Sequence, residues 1–147
     1  MPEAQNPYAN PVSTAVPLSP AEEKQWAVLT HVLGIFFGVI SAAAFYFIYR
    51  DRGPFVKHHT ATEWNFQLTL AVIHGVSFLL AFPLIIGATL PGTSSDTFFV
   101  AWAIYMVVYL LNFVLRIVAL VLGIRAAVAA NRGSFYTYPS FRFVKVA

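Results

Sequence analysis

Long stretches without charge dominate this chain. From Trp26 to Tyr49 there is no Asp, Glu, Lys or Arg, and two further apolar blocks lie on either side of the turn Pro91 to Asp96. At 1.5 Å of rise per residue, about 20 residues of helix cross the roughly 30 Å hydrocarbon layer of a bilayer, so each block is long enough to span it. Lipid offers no partner to a free backbone N–H or C=O, which leaves helix as the form these blocks take there. Only 10% of the residues are charged, against about 25% in soluble domains.

The expectation is an all-α fold: an integral membrane bundle of three transmembrane helices over residues 20–49, 60–90 and 97–131. Residues 1–18 read as a separate disordered tail, because four prolines stand among small and polar residues and the basic start of a signal peptide is missing. Residues 19–147 form one membrane domain. Ser19, Pro20 and Glu22 have the spacing of a capping box with proline at the first helical position. Thr60 and Glu63 repeat the spacing, which predicts that the second helix starts at Thr60 with Glu63 as its capping carboxylate. Pro83 is its expected kink point, and Gly133 its successor's C-terminal cap.

Thr30, Gly34, Gly38 and Ala42 recur every four residues, so Gly34 and Gly38 are the expected helix-packing positions. Arg50, Arg52 and Lys57 lie in the first loop, Arg125, Arg132, Arg142 and Lys145 near the C-terminus, and none in the Pro91 turn. The positive-inside rule therefore places the first loop and the C-terminus in the cytoplasm of a multi-pass protein of the cell membrane. Two topologies stay open for the near-neutral N-terminal tail: outside, after three spans, or cytoplasmic, if the first segment is re-entrant and bends at Gly34 or Gly38.

Glu63, Gln67, His74 and Ser77 share one face of the second helix, and Tyr105, Tyr109, Asn112 and Arg116 one face of the third, at about 100° per residue. Polar stripes in lipid-embedded helices need partners. A tight turn between the helices predicts an interhelical cluster of Glu63, Gln67, His74, Asn112, Arg116 and Arg125, with Glu63 at the depth of Arg125 and His74 near Asn112 and Arg116. Whether the stripes are structural or line a path is open at this stage.

No Ser/His/Asp arrangement, phosphate-cradling glycine loop or aspartate pair occurs, so no enzyme and no cofactor is expected. The absence of cysteine removes disulfides and thiolate chemistry. His58, His59 and Glu63 are the residue types that bind zinc, yet a capped start at Thr60 would leave the histidines in the loop, so no metal site is expected. A net charge of +3 points to lipid head groups rather than nucleic acid. The alternating aromatic and basic residues of 133–147 predict an interfacial anchor, with a short strand lying on the protein as the competing reading.

Three segments carry a resemblance: WAVLTHVLG from Trp26, PFVKHHTATEWNFQLT from Pro54 and NRGSFYTYPSFRFVK from Asn131. Together they resemble an uncharacterised family of small bacterial multi-pass membrane proteins, distantly similar to the Tic import component of the chloroplast inner envelope. By that resemblance His31, Pro54, Phe55, Val56, His59, Asn65, Phe66, Gln67, Tyr136, Tyr138 and Pro139 occupy recurrent family positions. Glu63 and Trp64 depart from the pattern. The expected role is a non-enzymatic accessory or partner-binding subunit, as a homo-oligomer or with an unidentified membrane protein. The alternative is a component of a transport or translocation conduit.

Overall fold

The computed structural model describes residues 16–146; most of the expected N-terminal tail lies outside them. Four helices follow in order: α1 Pro20–Phe37, α2 Val39–Tyr49, α3 Pro54–Ala88 and α4 Ser95–Asn131. The Ser19–Glu22 capping box starts α1, with the Ser19 N–H donating to Glu22 Oε2 at 2.8 Å.

The helix expected over 20–49 is broken. Gly38 takes φ +57°, a conformation that costs a side-chain-bearing residue but not glycine, and the chain turns back on itself. Trp26 stacks on Tyr49 with ring centroids 4.7 Å apart, and the Leu18 N–H donates to the Arg52 carbonyl at 2.8 Å. α1 and α2 are thus the arms of a helical hairpin whose ends meet, the bend falling at Gly38 rather than Gly34. Eleven residues of α2 make about 16 Å of helix, too short to cross a bilayer. Among the described residues the long apolar helices are two, α3 with 35 residues and α4 with 37, each over 50 Å by about 1.5 Å per residue.

α3 begins at Pro54, not Thr60, and its N-terminus is capped from another helix. Glu23 on α1 accepts the backbone N–H groups of Phe55 at 2.8 Å and Val56 at 2.9 Å. Gly53 has no side chain to collide with that carboxylate. A carboxylate on two free helix donors, at the positive end of the helix dipole, contributes about 1–2 kcal/mol. Thr60 is helical, and its hydroxyl donates to the Lys57 carbonyl. α4 begins two residues before the expected Thr97.

α3 changes character along its length. Between Val56 and Leu70 nearly every side chain is buried; from Ala71 onward apolar side chains such as Val72, Val76, Leu79 and Leu80 are exposed. Exposed Phe36, Phe37 and Ile40 at the hairpin tip continue this apolar surface. α1 packs on both α3 and α4, and α2 on α1 and α3. Gly123 of α4 is one reason α1 comes close: a Cβ there would lie 2.8 Å from Ile35.

After Gly133 the chain forms neither helix nor strand but an extended strap along α3. Asn65 holds it with its amide, Oδ1 accepting from the Phe143 and Val144 N–H groups and Nδ2 donating to the Val144 carbonyl, all within 2.8–2.9 Å. Thr69 accepts from Phe141 N–H and Thr62 from Tyr138 N–H. Phe135, Phe141 and Phe143 remain exposed, whereas Tyr138 is buried against Phe66, ring centroids 4.0 Å apart.

Candidate functional site

The hairpin, the first half of α3 and the strap converge on one buried polar centre. His31 on α1 and His59 on α3 have no exposed surface, and Glu63 is 1% exposed. His31 Nδ1 lies 2.7 Å from Glu63 Oε2, and His31 Nε2 lies 2.8 Å from His59 Nδ1. A carboxylate only accepts, so Nδ1–H of His31 donates to Glu63, and the two imidazoles share the other hydrogen bond. Gln67 donates through Nε2 to Glu63 Oε1 at 2.7 Å and to the Gly34 carbonyl at 3.1 Å. The Tyr138 hydroxyl closes the centre 3.1 Å from His31 Nδ1.

Each position follows from local structure. Glu63 and Gln67 are one turn apart on the buried face of α3, and His59 one turn before Glu63. Gly34 is where α1 passes the carboxylate: a Cβ on it would collide with Glu63 Oε1. Burial, with the Glu63 carboxylate beside it, pushes the Tyr138 hydroxyl far above the usual tyrosine range.

Glu63 therefore does not cap a helix, and its partner is on α1 instead of α4. Of the six residues expected to cluster, Glu63 and Gln67 are bonded to each other. Arg116 lines a cavity of about 50 Å³ beside them, room for a few waters at most. His74 and Asn112 share a separate cleft between α3 and α4, each donating to a carbonyl of its own helix, Leu70 and Val108. Arg125 is exposed. Among the described residues no ion pair joins Glu63 to an arginine.

Of the family positions, His31, His59, Gln67 and Tyr138 form the centre, Phe66 stacks on Tyr138, and Asn65 clamps the strap. Tyr136 accepts at its carbonyl from His58 Nε2, 3.2 Å away. Pro54 opens α3, Phe55 packs on the His59 ring, and Pro139 is an exposed strap residue. Glu23, Thr62 and Thr69 were not anticipated; the available signal was that Thr62, Asn65 and Thr69, at spacings of three and four, share one face of α3. His58 and His59 lie in α3 rather than a loop. Among the described residues no group of three or more His, Asp or Glu could hold a metal ion; His59, His31 and Glu63 run in a line of hydrogen bonds instead of facing a common point.

The profile of the magnetosome magnetite crystal formation protein family, MamF/MmsF, matches residues 22–144. This chain belongs to that family. The matched region takes in the hairpin, both apolar helices and the strap up to the Asn65 clamp, so the buried centre lies wholly inside it. No curated protein and no solved structure matches the chain. The MamF/MmsF match and the two apolar helices together make this a small membrane-associated protein.

Proposed function

We propose that this MamF/MmsF-family chain is a non-enzymatic accessory subunit that presents a partner-binding surface at one face of the membrane. The observation that carries the reading is the closure of the polar centre. Both nitrogens of His31, both oxygens of Glu63 and the Gln67 amide nitrogen are engaged with one another, with His59 or with Gly34; His59 Nε2 is buried without a hydrogen-bond partner, and the adjoining cavity is too small for a substrate. Such a centre fixes the hairpin and the strap in place. Around it the exposed aromatics and basic residues of the strap face outward. The family's name ties it to magnetosome magnetite crystal formation.

In this reading α3 and α4 cross the bilayer and the α1–α2 hairpin enters and leaves on one side. The N-terminal segment, the first loop and the C-terminus are then all cytoplasmic, with the Pro91 turn outside. Partners are the lipid bilayer and a membrane protein or second copy, not nucleic acid. Crosslinking in native membranes followed by mass spectrometry tests the proposal. A stoichiometric protein neighbour, lost on Phe141→Ala with Arg142→Ala but kept in Arg116→Ala, supports it. Turnover by the purified chain that vanishes in Glu63→Gln while the protein stays folded would refute it.

A second reading, a conduit component, draws on the clefts along the α3–α4 seam that His74, Asn112 and Arg116 line. Solute flux into liposomes that falls on His74→Leu is its test.

A further inference from the structure

In the lipid-facing half of the molecule, α3 and α4 enclose a cleft of about 270 Å³. Its lining is mostly apolar and rich in rings: Phe78, Phe82, Tyr105 and Tyr109. Besides the tyrosine hydroxyls, three polar side chains break that surface, His74 and Ser77 on one wall and Asn112 on the other; Ser77 donates to the Ile73 carbonyl at 2.8 Å. His74 Nδ1 is 2.6 Å from the Leu70 carbonyl. A carbonyl cannot donate, so this nitrogen carries the proton and Nε2 of the neutral ring is left as a bare acceptor. Asn112 uses its NH₂ on the Val108 carbonyl at 2.8 Å, leaving Oδ1 as a second acceptor. Both His74 Nε2 and Asn112 Oδ1 are buried without a hydrogen-bond partner.

The two acceptors cannot satisfy each other, neither is reached by the Tyr105 or Tyr109 hydroxyl on the same lining, and hydrocarbon brings no donor. What the seam lacks is therefore an O–H or N–H group carried on a body that an apolar, aromatic-lined cleft accepts. We infer that the α3–α4 cleft is a binding site for a lipophilic phenol or hydroquinone, its ring among the four aromatic side chains and its hydroxyl donating to His74 Nε2 or Asn112 Oδ1. A phenol fits better than a long-chain alkanol because ring edges and faces match the lining. Neither acceptor has surface of its own, so the hydroxyl enters as the Asn112 amide turns about its last torsion. The cleft is open on one side, which leaves space for this turn.

The probes are para-heptylphenol and its methyl ether, which keeps the shape and lacks the donor. The full chain in nanodiscs is dialysed against each, with empty nanodiscs subtracted for partition into lipid. The site predicts saturable binding of one phenol per chain, with the ether about tenfold weaker for the lost hydrogen bond. A diazirine form of the phenol labels the stretches 74–82 and 105–112. His74→Phe and Asn112→Leu bring the phenol-to-ether ratio toward one, and thermal melts that show the variants still folded and helical separate this from loss of the site by unfolding. Equal affinity for phenol and ether in the unmodified protein overturns the inference. So does label spread evenly over the lipid-facing surface, or a ratio unchanged in both variants. Absence of any saturable binding, the outcome if a single water bridges the two acceptors, overturns it as well.

Discussion

Removing His31 should turn Glu63 from an asset into a liability, and the sign of that change is measurable. His31→Leu deletes two buried hydrogen bonds, at 2.7 Å to Glu63 and 2.8 Å to His59, and leaves a carboxylate that is 1% exposed without its imidazole. Stripping a buried carboxylate of its hydrogen-bonded partner costs about 3–5 kcal/mol, because the charge is left uncompensated. Glu63→Gln in the unmodified chain should cost only about 1–2 kcal/mol. The amide still meets Gln67 and His31, whose ring can turn its proton round, and what is lost is the charge assistance. In the His31→Leu background the same Glu63→Gln change removes the stranded charge and should stabilise by about 1–2 kcal/mol. The cycle then yields a coupling of about 2 kcal/mol or more. The assay is unfolding in mixed micelles by titration with a denaturing detergent, followed by circular dichroism at neutral pH. Arg116→Ala serves as control and should stay within about 0.5 kcal/mol, as for a surface change. Glu63→Gln with the same sign in both backgrounds, or Arg116→Ala as costly as His31→Leu, would refute the pairing of α1 with α3 through this carboxylate.

Asn65→Ala removes the clamp on Phe143 and Val144 and should free the end of the strap, seen as markedly faster tryptic cleavage after Arg142 while helicity is kept. Tyr138 is protonated in the folded chain well above the usual tyrosine range, so its contribution to stability is complete below about pH 10, where the unfolded side chain titrates, and is lost as pH rises further. Tyr138→Phe should lower stability near neutrality by about 1 kcal/mol and flatten that alkaline decline, read from melts across the pH range. Gly38→Ala should cost about 1 kcal/mol for placing a Cβ at φ +57°. Cysteines placed singly at Ser19, Asp51 and Ser94 settle topology, the chain having none of its own. Ser19→Cys and Asp51→Cys should take an impermeant maleimide from the same side of the membrane and Ser94→Cys from the other; three spans would separate Ser19 from Asp51.

The parts of the fold visible in the sequence are those set by local chemistry. The Ser19–Glu22 box starts α1 as its residue types and spacing dictate, and the length of the apolar runs fixes α3 and α4. The parts that escaped are set by residues far apart in sequence. Thr60 and Glu63 satisfy the capping-box pattern, but the real cap of α3 comes from Glu23, 32 residues before Phe55. The proline at Pro54 was the local signal, since a first-turn position needs no N–H from it. The Gly38 bend was legible only as an alternative, because glycine permits a turn without requiring one. The polar stripe on α3 was real, yet its first half faces α1 and the strap. Periodicity says which residues share a face, not what that face meets.

The two halves of α3 solve the same physical problem in different ways, and this divides the molecule's capacities. Where the hairpin and strap surround the helix, Glu63, Gln67, Asn65, Thr62 and Thr69 reach across to other segments, so these side chains hold tertiary structure together. Where the apolar surface of α3 and α4 is exposed, His74, Ser77 and Asn112 donate to their own backbone instead. A group that donates within its own helix contributes nothing to holding α3 against α4, so the lower seam relies on apolar contact alone and stays thinly packed. Rigidity therefore belongs to the polar end, where Lys24, Arg50, Arg52, Lys57, Arg132, Arg142 and Lys145 also gather, and adaptability to the lipid-facing seam. In the proposed reading a protein neighbour docks on the fixed surface of the first, and the inferred phenol enters between the helices at the second.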